Sequence, residues 1–350
     1  YDLGGGTFDI SILKVSSNDF DVLAVGGDSQ LGGDDFDNAI LEWAAHEFKK
    51  QYGIDLLDDS KREYAIARQR LKEEAEKAKI DLSESDYAEI LIPELAGHSL
   101  DLELHIDQFN ELINPFLQRT IDCMRQVLRE TNLSADDIDR IVLVGGSTRI
   151  RAVQAMVSKE VREPYCDENA DEAVAWGAAI VAASLGTPVE DLTPIAVREV
   201  TAHSLGVGMM EEEKYIFQPL ISRNSKYPCE GGVLGFTCYQ QQEKVEISVY
   251  RGERTLEENN DELGKLTVPV KQPSDSRIPV AAVFKLDENG MLYFKAVDIP
   301  IRNIEHSDVE SFLLNAFENN CAIDIHKLEK LIGSKKIPKP EKITIDSALG

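Results

Sequence analysis

A chain of 350 residues with 43% hydrophobic and 29% charged side chains has room for two or three cored domains of the usual ~100 to 200 residues, and its composition excludes wholesale disorder, collagen-like repeats and a disulfide scaffold. The net charge of -26, from 37 Lys and Arg against 63 Asp and Glu, repels phosphate backbones and anionic lipid. That argues against nucleic-acid and membrane partners. The acidity is uneven, -19 over residues 1–187 and -7 over 188–350, a step that marks a domain boundary.

The five cysteines (Cys123, Cys166, Cys229, Cys238, Cys321) are widely spaced, with no C-x-x-C pair, so neither a disulfide framework nor a zinc site is indicated and a reducing cytoplasm is the expected location. The chain opens at Tyr1, inside a glycine motif and without an initiator Met, which points to a fragment.

In chain order, Phe8, Ile10 and Ile12, then Phe20, Val22 and Ala24, alternate with other residues and predict two strands. Ala67, Leu71, Ala75, Ala78 and Leu82 predict one helical face, with Glu73 and Lys77 as an i,i+4 pair on another. The next helix has Asp107 as its expected N-cap, a stripe of Phe109, Leu112, Ile113, Phe116, Leu117, Ile121, Met124 and Leu128, and a kink or break at Pro115. Ile141 to Val144 reads as a buried strand leading through Gly145-Gly146-Ser147-Thr148-Arg149 into another helix. Ala173 to Gly186 is apolar, too short for the ~20 residues of a membrane span, and reads as a buried helix.

After Leu185 the periodicity fades around Pro188 and Pro194, which defines a linker over 188–200. Short β-rich runs follow at Tyr215 to Ile221, Val233 to Tyr239, Val245 to Tyr250, Lys265 to Val270, Val280 to Leu286 and Met291 to Val297, with turn signals such as Asn289-Gly290 between them. They predict a sandwich or an open barrel. Within residues 303–338, Ser307-Asp308-Val309-Glu310 is a capping box, and two apolar stripes, one from Val309 to Phe317 and one from Ile325 to Ile332, predict a two-helix insertion.

Two loops carry candidate chemistry. Asp2-Leu3-Gly4-Gly5-Gly6-Thr7 places three glycines between a carboxylate and a hydroxyl. Such a loop can bring backbone N–H groups onto phosphate oxygens, with Asp2 orienting a hydrated Mg2+ and Thr7 bonding a terminal phosphate. The same residues also suit an ordinary hairpin turn. Gly145 to Arg149 sits where a strand meets a helix, a common ligand position in α/β sheets, and equally suits a plain connection. Neither loop is a Walker A motif or a dinucleotide fingerprint.

DLGGGTFDIS (2–11), LGGDDFD (31–37), RLKEEAEKAKIDLS (70–83), IVLVGGSTRI (141–150) and DEAVAWGAA (171–179) resemble the nucleotide-binding domain of the 70-kDa heat-shock chaperone family, DnaK type. VTAHSLGVGM (200–209), YRGER (250–254), LDENGMLYFKAVD (286–298) and EKITI (341–345) resemble its peptide-binding β-domain. The resemblance implies an α/β actin-like ATPase lobe over 1–187, a linker over 188–200 and a mainly-β sandwich with the helical insertion over 201–350. By motif position, Gly4, Gly5, Gly6 and Thr7 would contact phosphates and Asp2 would lie near the metal, with Asp2 and Thr7 as the catalytic pair. Glu76, Lys79 and Ser83 would face the adenosine, Gly145, Gly146, Ser147 and Arg149 would close its other side, and Asp171 would lie nearby.

A peptide groove would draw on Val207, Met209, Met210, Phe236, Val245 and Ile247, with the loop Gln240 to Lys244 one residue shorter than the family pattern. The same six residues also suit a sandwich core. The implied cofactors are ATP or ADP and Mg2+. The implied partners are unfolded or extended hydrophobic peptides, a J-domain co-chaperone and a nucleotide-exchange factor, in an ATP-dependent folding and stress-response role.

The family's first lobe, with its catalytic lysine, would precede Tyr1, and its helical lid would follow Gly350, so hydrolysis by this chain alone is expected to be poor. Two other functions compete: a nucleotide-independent holdase or scaffold, and a small-molecule kinase of the actin-like superfamily, which would not need the C-terminal strands.

Overall fold

The computed structural model describes residues 1–58, 60–166, 172–185, 195–211, 214–270 and 278–298. The chain separates into two units, Tyr1–Val197 and Arg198–Gly350, each with its own hydrophobic core among the described residues.

The first unit is mixed α/β. Strands β1 (Asp2–Leu3), β2 (Phe8–Ser16) and β3 (Asp19–Asp28) form an antiparallel meander. Helix α1 (Gly33–Tyr52) begins with Asp34 and Asp35, whose charges suit its N-terminus, and stops at Gly53, which adopts the left-handed conformation with φ 71°. Phe36, Ile40, Leu41, Ala44 and Phe48 recur at three and four residues and are buried.

Helix α2 (Ala65–Asp81) buries the expected Ala67, Leu71, Ala75 and Ala78. On its outer face Lys77 pairs with Glu74 at 2.5 Å, not with Glu73, whose carboxylate accepts from Gln69 instead.

A hairpin of β4 (Tyr87–Leu95) and β5 (His98–His105) follows, then α3 (Ile106–Thr131). His105 occupies the α3 N-cap, and Asp107 lies inside the first turn, where its charge meets the helix dipole without capping it. The helix runs unbroken through Pro115, and its expected stripe faces the core. Strand β6 (Val142–Leu143) pairs in parallel with β7 (Tyr165–Cys166), and α4 (Arg151–Glu160) lies between them. Of the expected buried strand only Leu143 is fully covered, and Val142 is exposed.

Helix α5 (Ala173–Leu185) forms as expected, but Val174, Trp176 and Ile180 are 48 to 63% exposed and none of the described α5 side chains joins the first core. The expected burial is therefore corrected: α5 is apolar on every side, so composition marks it as a helix without fixing a packed face. Within the expected linker, β8 (Ala196–Arg198) adds to the first sheet, giving the order β1-β2-β3-β8, with the Ala196 N–H donating to the Asn18 carbonyl at 3.1 Å. Asp171, the linker residues 188–194 and the insertion expected over 303–338 lie outside the described residues.

The second unit consists of β9 (Leu205–Glu211), β10 (Lys214–Ile221), β11 (Cys229–Phe236), β12 (Lys244–Arg251), β13 (Asp261–Pro269), β14 (Pro279–Leu286) and β15 (Leu292–Asp298). They make two antiparallel sheets, β10-β9-β12-β13 and β11-β14-β15. Val207, Ile247, Val249 and Val268 from one sheet share a core with Val280, Phe284, Leu286 and Phe294 from the other. Strand β11 starts and ends earlier than the expected Val233 to Tyr239, leaving Tyr239 exposed in the following turn. The Gln242 side chain pins that turn by accepting from the Cys238 N–H at 2.8 Å and donating to the Lys244 carbonyl at 2.7 Å.

Candidate functional site

The glycine loop is built as the tip of the β1–β2 hairpin. Asp2 stands opposite Asp9, Leu3 opposite Phe8, and the Gly4 N–H donates to the Thr7 carbonyl at 3.0 Å. Leu3 and Phe8 are fully buried, so the base of the hairpin is anchored while Gly5, Gly6 and Thr7 are exposed. An added Cβ at Gly5 or Gly6 would meet nothing within 4 Å, which leaves open space over the tip.

The second glycine loop lies against the first. The Leu3 N–H donates to the Val144 carbonyl at 3.0 Å and the Val144 N–H to the Tyr1 carbonyl at 2.9 Å. Gly145 then turns with φ 87°, and a Cβ there would sit 2.5 Å from the Leu3 carbonyl oxygen and 2.8 Å from Asp2 Oδ1. Only glycine fits both the conformation and the space. A 3-10 turn, Gly146–Arg149, follows. In it Ser147 is buried and its hydroxyl donates to the Gly4 carbonyl at 3.0 Å, while Thr148 donates back to the Gly145 carbonyl at 2.7 Å. Arg149 is exposed at the end of this turn.

The start of α1 forms a third side. The Gly33 N–H donates to the Gly4 carbonyl at 2.9 Å and the Asp34 N–H to the Gly5 carbonyl at 2.7 Å. Gly4 O therefore accepts from two separate motifs, Gly33 and Ser147. In a trans peptide the N–H points opposite to the carbonyl. Tying the Gly4 and Gly5 carbonyls to α1 thus turns the Gly5 and Gly6 N–H groups away from it. No backbone acceptor takes either N–H among the described residues.

Lys79 completes the group. Its Nζ lies 2.8 Å from each oxygen of Asp37, donates to Oδ2, and lies 3.3 Å from the Gly33 carbonyl. Asp37 is 3% exposed, so this ion pair is formed almost out of water. Burial pushes the Asp37 carboxyl above the usual range; hydrogen bonding and the charge of Lys79 oppose this, and the charges of Glu76 and Asp34 add to it. Glu76 is exposed one turn before Lys79. Ser83 lies two residues past the end of α2, so the three positions do not share a continuous helical face; its hydroxyl still reaches the Lys79 carbonyl at 3.4 Å.

Asp2 is half-buried, and burial raises its carboxyl pKa, with the Tyr1 α-ammonium opposing and Asp9 adding to the rise. Among the described residues no three His, Cys, Asp or Glu side chains converge on one point. The donor set at the hairpin base, one partly buried carboxylate facing another across a register pair, fits a cation that keeps most of its water, as Mg2+ does.

The structure thus gathers Asp2, Gly4, Gly145, Ser147 and Lys79 from three sequence motifs. The structure adds Asp9, Gly32, Gly33 and Asp37 to the site, the first from DLGGGTFDIS and the other three from LGGDDFD, and no spacing in the sequence singles them out. A Cβ at Gly33 would lie 2.5 Å from Ser147 Oγ, and one at Gly32 would collide with the Gly5 carbonyl. The paired glycines were the available signal for a close backbone approach.

In the second unit the six groove candidates divide. Val207 and Ile247 are buried core side chains, Met209 and Val245 pack on the margin of that core, Phe236 is partly covered, and Met210 is 49% exposed. Val245, Ile247 and Val249 share one face of β12, as alternation predicts.

A family model described as Hsp70 protein matches residues 1–320. The chain belongs to the Hsp70 family. As an Hsp70 protein it falls among the ATP-binding heat-shock chaperones, and the converging glycine loops belong to the part of the chain that the match covers. Among the described residues no helix is long and apolar enough to cross a membrane.

Proposed function

We propose that this chain carries one lobe of an actin-like ATPase and a β-sandwich that holds extended apolar peptide, with adenine nucleotide at the Gly4 site controlling peptide affinity. The observation that carries this reading is that two distant motifs, through Gly33 and Ser147, meet on one carbonyl of the glycine loop, Gly4 O. The arrangement turns the Gly5 and Gly6 N–H groups away from α1 on an exposed loop tip, a geometry that suits phosphate oxygens. Thr7 stands beside them for a terminal phosphate, and Asp2 would hold Mg2+ through water. Glu76, Lys79 and Ser83 would face the adenosine, with Gly146 and Arg149 across from them and Asp171 as a further contact.

Peptide would meet Met209, Met210, Phe236 and Val245 first, because these lie at or outside the margin of the core, and Val207 and Ile247 would line the floor. Adjacent methionines suit a surface that adapts to varied apolar side chains. Family membership supports a J-domain co-chaperone and a nucleotide-exchange factor as partners in a cytoplasmic stress response. Fluorescence anisotropy with a labelled leucine-rich heptapeptide tests the reading. Binding near micromolar, about -8 kcal/mol, weakened by Mg-ATP and abolished by Val245→Phe, is expected. A folded Val245→Phe variant that binds like wild type would show that the groove lies elsewhere.

A further inference from the structure

We propose that Asp37 is the positioning residue of the adenosine side of this site: its buried carboxylate holds the Lys79 ammonium against Gly33, and so fixes the lysine stem and the α1 turn that orients the glycine loop. The inference rests on the nucleotide reading above and adds to it a residue that touches no ligand.

A buried carboxylate must be paired or hydrogen-bonded to offset its lost hydration. The one side-chain partner of Asp37 among the described residues is Lys79, whose Nζ lies 2.8 Å from both carboxylate oxygens. A lysine at the rim of a site would otherwise extend its head to water. Here the Lys79 side chain is 13% exposed, although the exposed Glu76 offers a competing anion one turn away.

Gly33 passes the restraint on. Its carbonyl lies within reach of Lys79 Nζ, its N–H donates to Gly4, and the space where a Cβ would stand is taken by Ser147 and Lys79. Freeing the ammonium therefore loosens the turn that aims the Gly5 and Gly6 N–H groups.

The groups facing Asp37 are Lys79 and Glu76 on α2 and Asp34 on its own helix. As pH falls through its raised titration point, Asp37 gains a proton and Lys79 loses its anchor. Affinity for nucleotide should therefore decline on acidification in wild type and lose this component in Asp37→Asn.

Two measurements on the full chain test the proposal. Acetylation of each lysine by an N-hydroxysuccinimide ester, read by mass spectrometry without ligand, should modify Lys79 far more slowly than the half-exposed Lys72 and the exposed Lys77. Asp37→Asn should raise the Lys79 rate at least about tenfold, the scale of a lost charge-assisted hydrogen bond. Titration with N-methylanthraniloyl-ATP should show at least about tenfold weaker binding in Asp37→Asn and in Lys79→Met, with the double variant no weaker than Lys79→Met alone, because Asp37 acts through Lys79. If Asp37→Asn does not fold, Lys79→Met carries the affinity test and the wild-type labelling pattern carries the geometric one. Equal Lys79 labelling in wild type and a folded Asp37→Asn, rapid labelling of Lys79 in wild type, or undiminished nucleotide affinity in a folded variant would overturn the role of Asp37. A wild-type chain that protects Lys79 but binds no nucleotide analogue would overturn the nucleotide reading and the role built on it, while leaving the Asp37–Lys79 restraint as measured.

Discussion

Tyr1 shows burial as the leading cause of a shifted proton in this molecule, with Cys123 adding to the rise. Its phenol donates to the Thr120 hydroxyl at 2.8 Å and its ring lies 4.7 Å from that of Phe8. Burial pushes the phenol up to about 12, against the lowering effect of the Thr120 bond. Between the unfolded value of about 10 and this one, the unfolded chain has released a proton that the folded chain keeps. Stability is therefore undiminished by this group below about pH 10 and falls as pH rises toward 12. The difference in 295 nm absorbance between wild type and Tyr1→Phe should show a step near pH 12; a step near pH 10 would mean that the phenol is solvated. At this scale Gly4 to Thr7 and Ser147 were legible because each motif is contiguous. Asp37 was not, since its partner lies 42 positions away and no periodicity links them.

Elements were legible where one face is apolar. The α2 stripe and the β2–β3 alternation follow from helical and strand periods, and both faces meet the core. The β4–β5 hairpin was harder to read: Ala88, Ile90 and Ile92 are buried, but the exposed Leu91 between them blurs the period of two. Helix α5 shows the opposite difficulty, a clear element without a distinguishable buried face. The turn between β6 and α4 joins element to site, because Gly145 combines positive φ with contact to the Asp2–Leu3 backbone. Gly145→Ala should cost about 1–3 kcal/mol, read as a lower urea midpoint of the first unit, and should weaken nucleotide binding with it. An unchanged midpoint would show that the loop relaxes without strain.

For the whole molecule, composition bounded the class of protein and the charge step marked a change along the chain, but neither carries fold information. The two cores are each built from side chains of one unit. Sheet pairing in the second unit was the least accessible feature, because β9, β12 and β14 take partners that short apolar runs do not specify. The central claim is that three distant motifs form one nucleotide site at Gly4. The most direct test is a backbone amide NMR titration of the chain with Mg-ADP. The account predicts saturable shifts centred on Gly5, Gly6, Thr7, Gly145, Gly146 and Ser147, with Lys79 following. Saturating nucleotide that leaves these amides unmoved, or shifts confined to another part of the chain, would contradict it.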